Sequence, residues 1–432
     1  MSSQADASRP QAPDGVHMTD PEVFENPYPH YEALQRSCPV SHDSDVGWLV
    51  TRYDDLRSAV LNTKDLSSSI AGADGPRYMG VSPEPLSPEV EEIIAKYEPM
   101  ENALFTADPP VHTRHRAIVT KALNPRRVRQ LEGYMREIAE ELVDAFIADG
   151  RCELNKQFAV PLPLIVISDT LGISREDLDD FKYWSDCMVA GDLDPMDNEK
   201  RAEVGLAVIE FQKYMIPLIN ERREEPRDDL LSDLTNTEID DDDNVSGPRR
   251  LSTAEILPII SQILLAGNET TTSLIGNGLV ILIEQPELMA ELRSDHDLIP
   301  DFIEEALRME SPAMCSYRVT TTEVEIGGQT IPAGEMVVGL FGAANQDEEV
   351  FENPRTFDMK RPNLRRHLAF GAGPHFCPGA EMARVEARVA FEVLFNRLDQ
   401  IRLAPGAELH RDPTFTLRTY HEIPLEFAAK GA

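Results

Sequence analysis

The chain has 432 residues, 41% hydrophobic and 27% charged, so it can bury a sizeable core and cannot be disordered throughout. Forty-one basic against 76 acidic side chains leave a formal charge of −35, which argues against nucleic acid or an anionic membrane as partner. Cys38, Cys152, Cys187, Cys315 and Cys377 are scattered without Cys-x-x-Cys spacing, which argues against a disulfide framework or zinc site and for a reducing, cytoplasmic compartment.

The first fifteen residues are polar and Pro-bearing, with no apolar core of signal-peptide length. Residues 1–20 are expected to form a flexible N-terminal arm, ahead of a single domain over 21–432. Residues 48–52 read as a strand. The segment 67–105 is long and mixed, carrying Tyr78, Met79, Met100, Leu104 and Phe105. Residues 111–130 hold Arg114, Arg116, Lys121, Arg126, Arg127 and Arg129 with no acid, and 361–390 hold five arginines against Glu381 and Glu386. Two positive stretches in so acidic a chain suggest a docking face for an acidic partner, although arginines offsetting local repulsion would look the same.

Residues 128–146 keep apolar side chains at three- and four-residue spacing, the pattern of a helix. In 235–250 an acidic run, Asp240 to Asp243, ends in Ser246-Gly247-Pro248, expected as a surface loop between helices. Ser252-Thr-Ala-Glu255 is a capping box that opens a long apolar helix, stopped by Pro286. From 254 to 284 it would run about 46 Å. Gln262, Asn268, Glu269 and three threonines in its middle argue against a membrane span. A further helix starts near Pro300, residues 323–331 read as a hairpin turning at Gly327-Gly328, 379–398 as an amphipathic helix, and 424–427 as a strand. The fold class is mainly α with a small β portion.

The chemistry is concentrated in three places. The run Phe370-Gly-Ala-Gly-Pro-His-Phe-Cys-Pro-Gly379 puts Cys377 in a glycine-rich loop that enters a helix. A thiolate there is stabilised by unpaired N–H groups and the helix dipole, and the glycines let a flat, bulky ligand approach the sulfur. A single axial thiolate is the ligand haem iron takes where oxygen is to be cleaved. A buried, inert cysteine is the bland alternative. In the long helix, Thr270 lies four residues after Ala266, so its hydroxyl can bond the Ala266 carbonyl and loosen that turn, while Gly267 leaves space above it. Such a gap holds water and a small diatomic molecule, with Glu269 relaying protons and Thr270 donating one to the reacting oxygen. Finally, Glu305 and Arg308 form an i, i+3 pair, which on an exposed helix contributes only about 0.2–0.5 kcal/mol.

Together these motifs resemble the cytochrome P450 family, over nearly the whole chain from Asn26 to Phe427. The resemblance implies the P450 fold, with haem b (iron protoporphyrin IX) between the long oxygen-binding helix and the cysteine-loop helix. It makes Cys377 the iron ligand and sets Ala266, Phe370, Gly373 and Gly379 against the haem. It matches His112, Arg116, Arg318 and His375 to the cations that hold the propionates, which need charge-assisted partners. It also makes Glu305, Arg308 and Arg361 a buried structural brace. Glu269 stands where Asp is more frequent in the family, and Gln346 where bacterial relatives usually carry Arg.

The implied activity is monooxygenation. One atom of O2 enters a small to medium hydrophobic substrate by hydroxylation, epoxidation or dealkylation, with electrons from a ferredoxin and its reductase. The basic stretches, including Arg384 and Arg388, would be the dock, and the enzyme a monomer. A haem-thiolate peroxygenase or isomerase, and a non-catalytic haem gas sensor, are the alternatives. The intact Glu269–Thr270 pair speaks against reactions that bypass O2. By family analogy the substrate pocket is lined by parts of 67–105, 187–190, 259–270, 313–317 and 415–417, and the substrate itself stays open.

Overall fold

The structure is a computed structural model describing residues 9–12, 15–69, 85–98, 100–193, 197–239 and 248–431. Tyr78, Met79, the acidic run 240–243 and Ser246-Gly247 lie outside these residues. The capping box forms as read: Ser252 Oγ accepts from the Glu255 N–H at 3.2 Å, and the Glu255 carboxylate accepts from the Ser252 N–H at 2.8 Å. It opens the helix Thr253–Glu284, whose 32 residues span about 48 Å. Helices Pro161–Leu171, Ile299–Met309 and Ala380–Arg397 pack around this helix, so its sequence is apolar on nearly every side. Pro125–Phe146 is capped by Asn124, whose side chain accepts from the N–H groups of Arg126 and Arg127. It buries Met135, Ile138, Val143 and Phe146 completely, each contributing about 1.5–3 kcal/mol.

A five-stranded sheet runs in the order Val40–Asp43, Gly47–Val50, Met336–Leu340, Cys315–Thr320, Leu66–Ser67. Met336–Leu340 is parallel to Gly47–Val50, and the other pairs are antiparallel. The register sets Arg318 opposite Val337, which fixes where that guanidinium starts. Only the strand at 48–52 was expected here. Every residue of Met336–Leu340 is buried, so it shows no alternation, and its Gly339 is where Leu56 presses in: a Cβ there would sit 2.1 Å from Leu56 Cδ1. The 323–331 hairpin is present, with Gly327 and Gly328 at φ +53° and +77°. The strand at 424–427 is Pro424–Ala429, the middle of a second sheet between Leu398–Leu403 and Arg151–Glu153.

Two expectations change. The loop at 235–250 begins late, because helix Leu230–Asn236 runs into it, and Glu238–Ile239 pairs with Arg249–Arg250 to close its base. The flexible arm does not extend to residue 20. Arg9 pairs with Glu335 at 2.6 Å and lies over the Trp48 ring. Met18 is fully buried, and its N–H donates to Asp43 at 2.9 Å. A buried methionine and a paired guanidinium outweigh the polar composition that suggested mobility. Among the described residues, no helix is long and apolar enough to cross a membrane.

Candidate active site

Cys377 sits one turn ahead of helix Ala380–Arg397, in a loop with Gly371 and Gly373 both at φ +68°. Its N–H donates to the Phe370 carbonyl at 2.9 Å, which folds the loop back on itself. Gly373 is doubly constrained, because a Cβ there would also fall 2.6 Å from Leu61 Cδ2. A Cβ at Gly379 would come 3.9 Å from Cys377 Sγ, so the glycine keeps the approach to sulfur clear. Burial pushes the thiol up, while the N–H groups of Gly379 and Ala380 and the guanidiniums of Arg116 and Arg384 pull it down. A metal cation at the sulfur would complete the deprotonation.

The four cations expected to hold carboxylates come together. His112 and His375 lie ring against ring, centroids 4.0 Å apart, and each feels Arg116 and Arg318. Burial and these neighbours lower His112 and drive His375 down to about 3. His375 Nε2 meets Ser68 Oγ at 3.1 Å, Arg116 donates to Thr120 at 3.0 Å, and the buried His112 Nδ1 has no partner among the described residues. Asp108 is the acid acting on this group, and two hydrogen bonds from Ser67 and Ser68 already engage it. Two guanidiniums and two neutral imidazoles, faced by one acid that is already engaged, leave donors free for further carboxylates.

On the long helix, Thr270 Oγ1 donates to the Ala266 carbonyl at 2.7 Å, and the helix stays continuous through that turn. Ala266 is exposed and Thr270 half-buried on an otherwise largely buried helix, so this face is left uncovered by the rest of the described chain. Gly267 does not provide that space. Its Cα faces Ile167, where a Cβ would make ordinary contact at 3.6 Å. Burial raises the Glu269 carboxyl, against the pull of Lys182 Nζ at 3.5 Å. Lys182 also pairs with Asp186. Neither residue stood out in the sequence, because an i, i+4 Lys–Asp pair is ordinary helix decoration. Glu386 was read only as surface charge, yet it is buried, hydrogen-bonds Thr271 and is raised by burial to about 8. It ties the cysteine-loop helix to the residue after Thr270.

The brace is complete. Glu305 takes Arg308 Nε and Nη2 at 2.8 and 2.7 Å, Arg361 Nε at 2.9 Å and the Asp358 N–H at 3.0 Å, with Glu305, Arg308 and Arg361 all buried. Arg308 reaches the Asn345 carbonyl at 2.8 Å, and Asn345 Oδ1 accepts from the Leu368 N–H, just ahead of the loop. Gln346 Nε2 caps the Met309 carbonyl at 3.3 Å. Glu304 gathers His367 and Arg384, and Arg384 lies over the Phe370 ring.

The comparisons with known proteins agree with this geometry. The Cytochrome P450 family model matches residues 178–403. The vitamin D(3) 25-hydroxylase of Pseudonocardia autotrophica is 35% identical over 419 residues, covering 95% of this chain and 96% of its own length. The 6-deoxyerythronolide B hydroxylase of Saccharopolyspora erythraea is 36% identical over 385 residues, 88% and 91% of the two chains. Among solved structures, cytochrome P450 CYP109Q5 from Chondromyces apiculatus superposes with a TM-score of 0.82 at 38% identity, covering 96% of this chain and 99% of its own. The chain belongs to the cytochrome P450 family.

The family's cofactor is haem b, and the residues present fit it. The Cys377 sulfur lies in a cleared loop, and the His112 Nδ1 left open sits with His375 and the guanidiniums of Arg116 and Arg318 against the one acid Asp108, a donor set that suits two propionates. As a P450, the protein is a haem-dependent monooxygenase. The proposed dock is partly engaged within the molecule. Arg127 pairs with Asp233 and Asp228 at 2.8 and 3.1 Å, Arg384 with Glu304, and Arg388 with Glu132 and Glu392. Lys121, Arg126 and Arg129 are exposed. The pocket segments 313–317 and 415–417 meet, with Met314 N–H donating to Thr416 O at 2.8 Å.

Proposed function

We propose that this P450 takes electrons from a ferredoxin and its reductase and inserts one oxygen atom into a hydrophobic organic substrate. It would act as a cytoplasmic monomer, with residues 21–432 and the packed segment around Met18 working as one domain. The reaction balances as R–H + O2 + two electrons + two protons giving R–OH and water. Haem, when bound, would supply the electron transfer and O–O cleavage, with Cys377 as the residue that would hold its iron. His112, Arg116, Arg318 and His375 would hold its carboxylates. The chain's own task is to deliver the two protons. Glu269, whose carboxyl burial raises against the pull of Lys182, passes a proton at its carboxyl oxygen and is recharged through Lys182, which is half-exposed. Thr270, anchored on the Ala266 carbonyl, orients its hydroxyl and any water beside it on the uncovered face of the helix.

The observation carrying this reading is the Thr270–Ala266 bond beside a raised, lysine-linked Glu269, machinery that a reaction without O2 does not use. Two relatives are named for hydroxylating vitamin D(3) and 6-deoxyerythronolide B, which supports a bulky apolar substrate within the expected range. The test uses isotopically labelled O2 with a substrate found by spin-shift screening. One labelled atom per product supports the proposal, whereas unlabelled product with peroxide alone sufficient overturns it. Thr270→Ala should cut product per electron about tenfold or more, with hydrogen peroxide released instead.

A further inference from the structure

Metal-ligating side chains also meet outside the site described above. His17 and Thr19 come from the stretch that leads into helix Pro21–Glu25, and Asp43 and Asp45 from the turn between strands Val40–Asp43 and Gly47–Val50. His17, Asp43 and Asp45 each place a ligand atom within 4.8 Å of the other two. Among the described residues, they are the one group of three or more His, Cys, Asp or Glu side chains close enough to share a metal ion.

The surrounding backbone holds these groups in place. Asp43 is 5% exposed, and three N–H donors aim its carboxylate: Oδ2 accepts from Met18 at 2.9 Å, and Oδ1 from Asp45 and Val46 at 2.8 and 3.3 Å. Thr19 Oγ1 donates to Asp45 Oδ2 at 2.7 Å, and the His17 N–H donates to Asp20 Oδ2 at 2.8 Å. Met18 and Val46, both fully buried, belong to one apolar cluster that fixes the two chain segments together. Within this frame the His17 Nδ1 is buried, yet it has no hydrogen-bond partner among the described residues. It lies 3.6 Å from Asp43 Oδ2. That is too long for a hydrogen bond, whereas two ligands of a tetrahedral ion, each at about 2.0–2.1 Å, stand about 3.3 Å apart. Neither carboxylate meets a lysine or arginine among the described residues to balance its charge.

We propose that His17, Asp43 and Asp45 bind a divalent transition-metal ion of the zinc class, which staples the N-terminal segment to the edge hairpin of the five-stranded sheet. One imidazole nitrogen with two carboxylate oxygens is a donor set that zinc takes, with water completing the shell. Asp43 Oδ2 keeps its bond to the Met18 N–H, because a carboxylate oxygen carries a second lone pair. Calcium and magnesium prefer oxygen donors and gain nothing from the imidazole.

The test follows hydrogen exchange by mass spectrometry in the haem-loaded full chain, stripped with EDTA and then given Zn2+. Any opening that parts residues 17–19 from the turn must release the ion. At about ten times the Kd measured by calorimetry, zinc should therefore slow exchange of the Met18 and Val46 N–H groups about tenfold. His17→Ala and Asp45→Asn should each abolish that protection and leave exchange in helix Thr253–Glu284 as in the wild type. Asp43 is left intact, because its carboxylate holds the turn. Calcium at the same concentration should protect neither N–H group. Zinc protection that persists in His17→Ala, no protection at any soluble zinc concentration, or equal protection by calcium would overturn the proposal.

Discussion

Glu305 serves two guanidiniums at once, and this asymmetry makes a sharp prediction. Its carboxylate, itself fully buried, accepts four hydrogen bonds, three from the buried Arg308 and Arg361 and one from the Asp358 N–H. Glu305→Gln keeps the volume but leaves two buried cations without a counter-charge. Removing one partner of a buried pair costs about 3–5 kcal/mol, a large share of the about 5–15 kcal/mol that holds a typical domain. Arg361→Met is milder, because Glu305 keeps Arg308. The loss there is of hydrogen bonds to a charged group, about 1.5–3 kcal/mol, plus stranded carbonyls at Asn353 and Thr356. Urea unfolding followed by circular dichroism gives both numbers, with the slope checked for two-state behaviour. Glu305→Gln should be the more damaging and should release haem at lower urea. A reversed order, or both costs under about 1 kcal/mol, would refute the claim that one carboxylate braces both arginines.

Two further predictions concern charge. Glu386 is held protonated by burial, its value raised from 4.5 to about 8, so the folded state binds a proton that the unfolded state releases. Its contribution is therefore full below about pH 4.5 and is lost as pH rises through about 8. Between pH 6 and 9 the wild-type protein should lose stability that Glu386→Gln retains, and parallel pH profiles for the two would contradict the assignment. Charge reversal at the exposed Arg126 and Arg129 should slow ferredoxin-driven turnover several-fold at low salt, with the difference fading as screening sets in. Stopped-flow reduction kinetics that are flat in salt for both proteins would remove this dock.

What was legible in the sequence was whatever local chemistry dictates. The Ser252–Glu255 box, the Gly327-Gly328 turn, the four-residue step from Ala266 to Thr270 and the glycines around Cys377 each depend on neighbours within a few residues. The loop, the brace and the cations took their meaning from family resemblance, and the structure then brought each group together. What stayed hidden needed long-range contact. Lys182 lies 87 residues from Glu269. Glu386 reads as an ordinary helix acid until Thr271 and the surrounding core cover it. The strand Met336–Leu340, buried on both faces, has no alternation to betray it. Arg9 and Met18 show the reverse error, where polar composition concealed an anchored segment.

The central claim is that Cys377 is the iron's thiolate ligand, and the reduced CO difference spectrum tests it most directly. The haem-loaded protein should show the long-wavelength Soret band that thiolate ligation produces, and Cys377→His should abolish that band while haem still binds. A wild-type band at the ordinary imidazole-ligated position, or one unchanged in Cys377→His, would contradict the account.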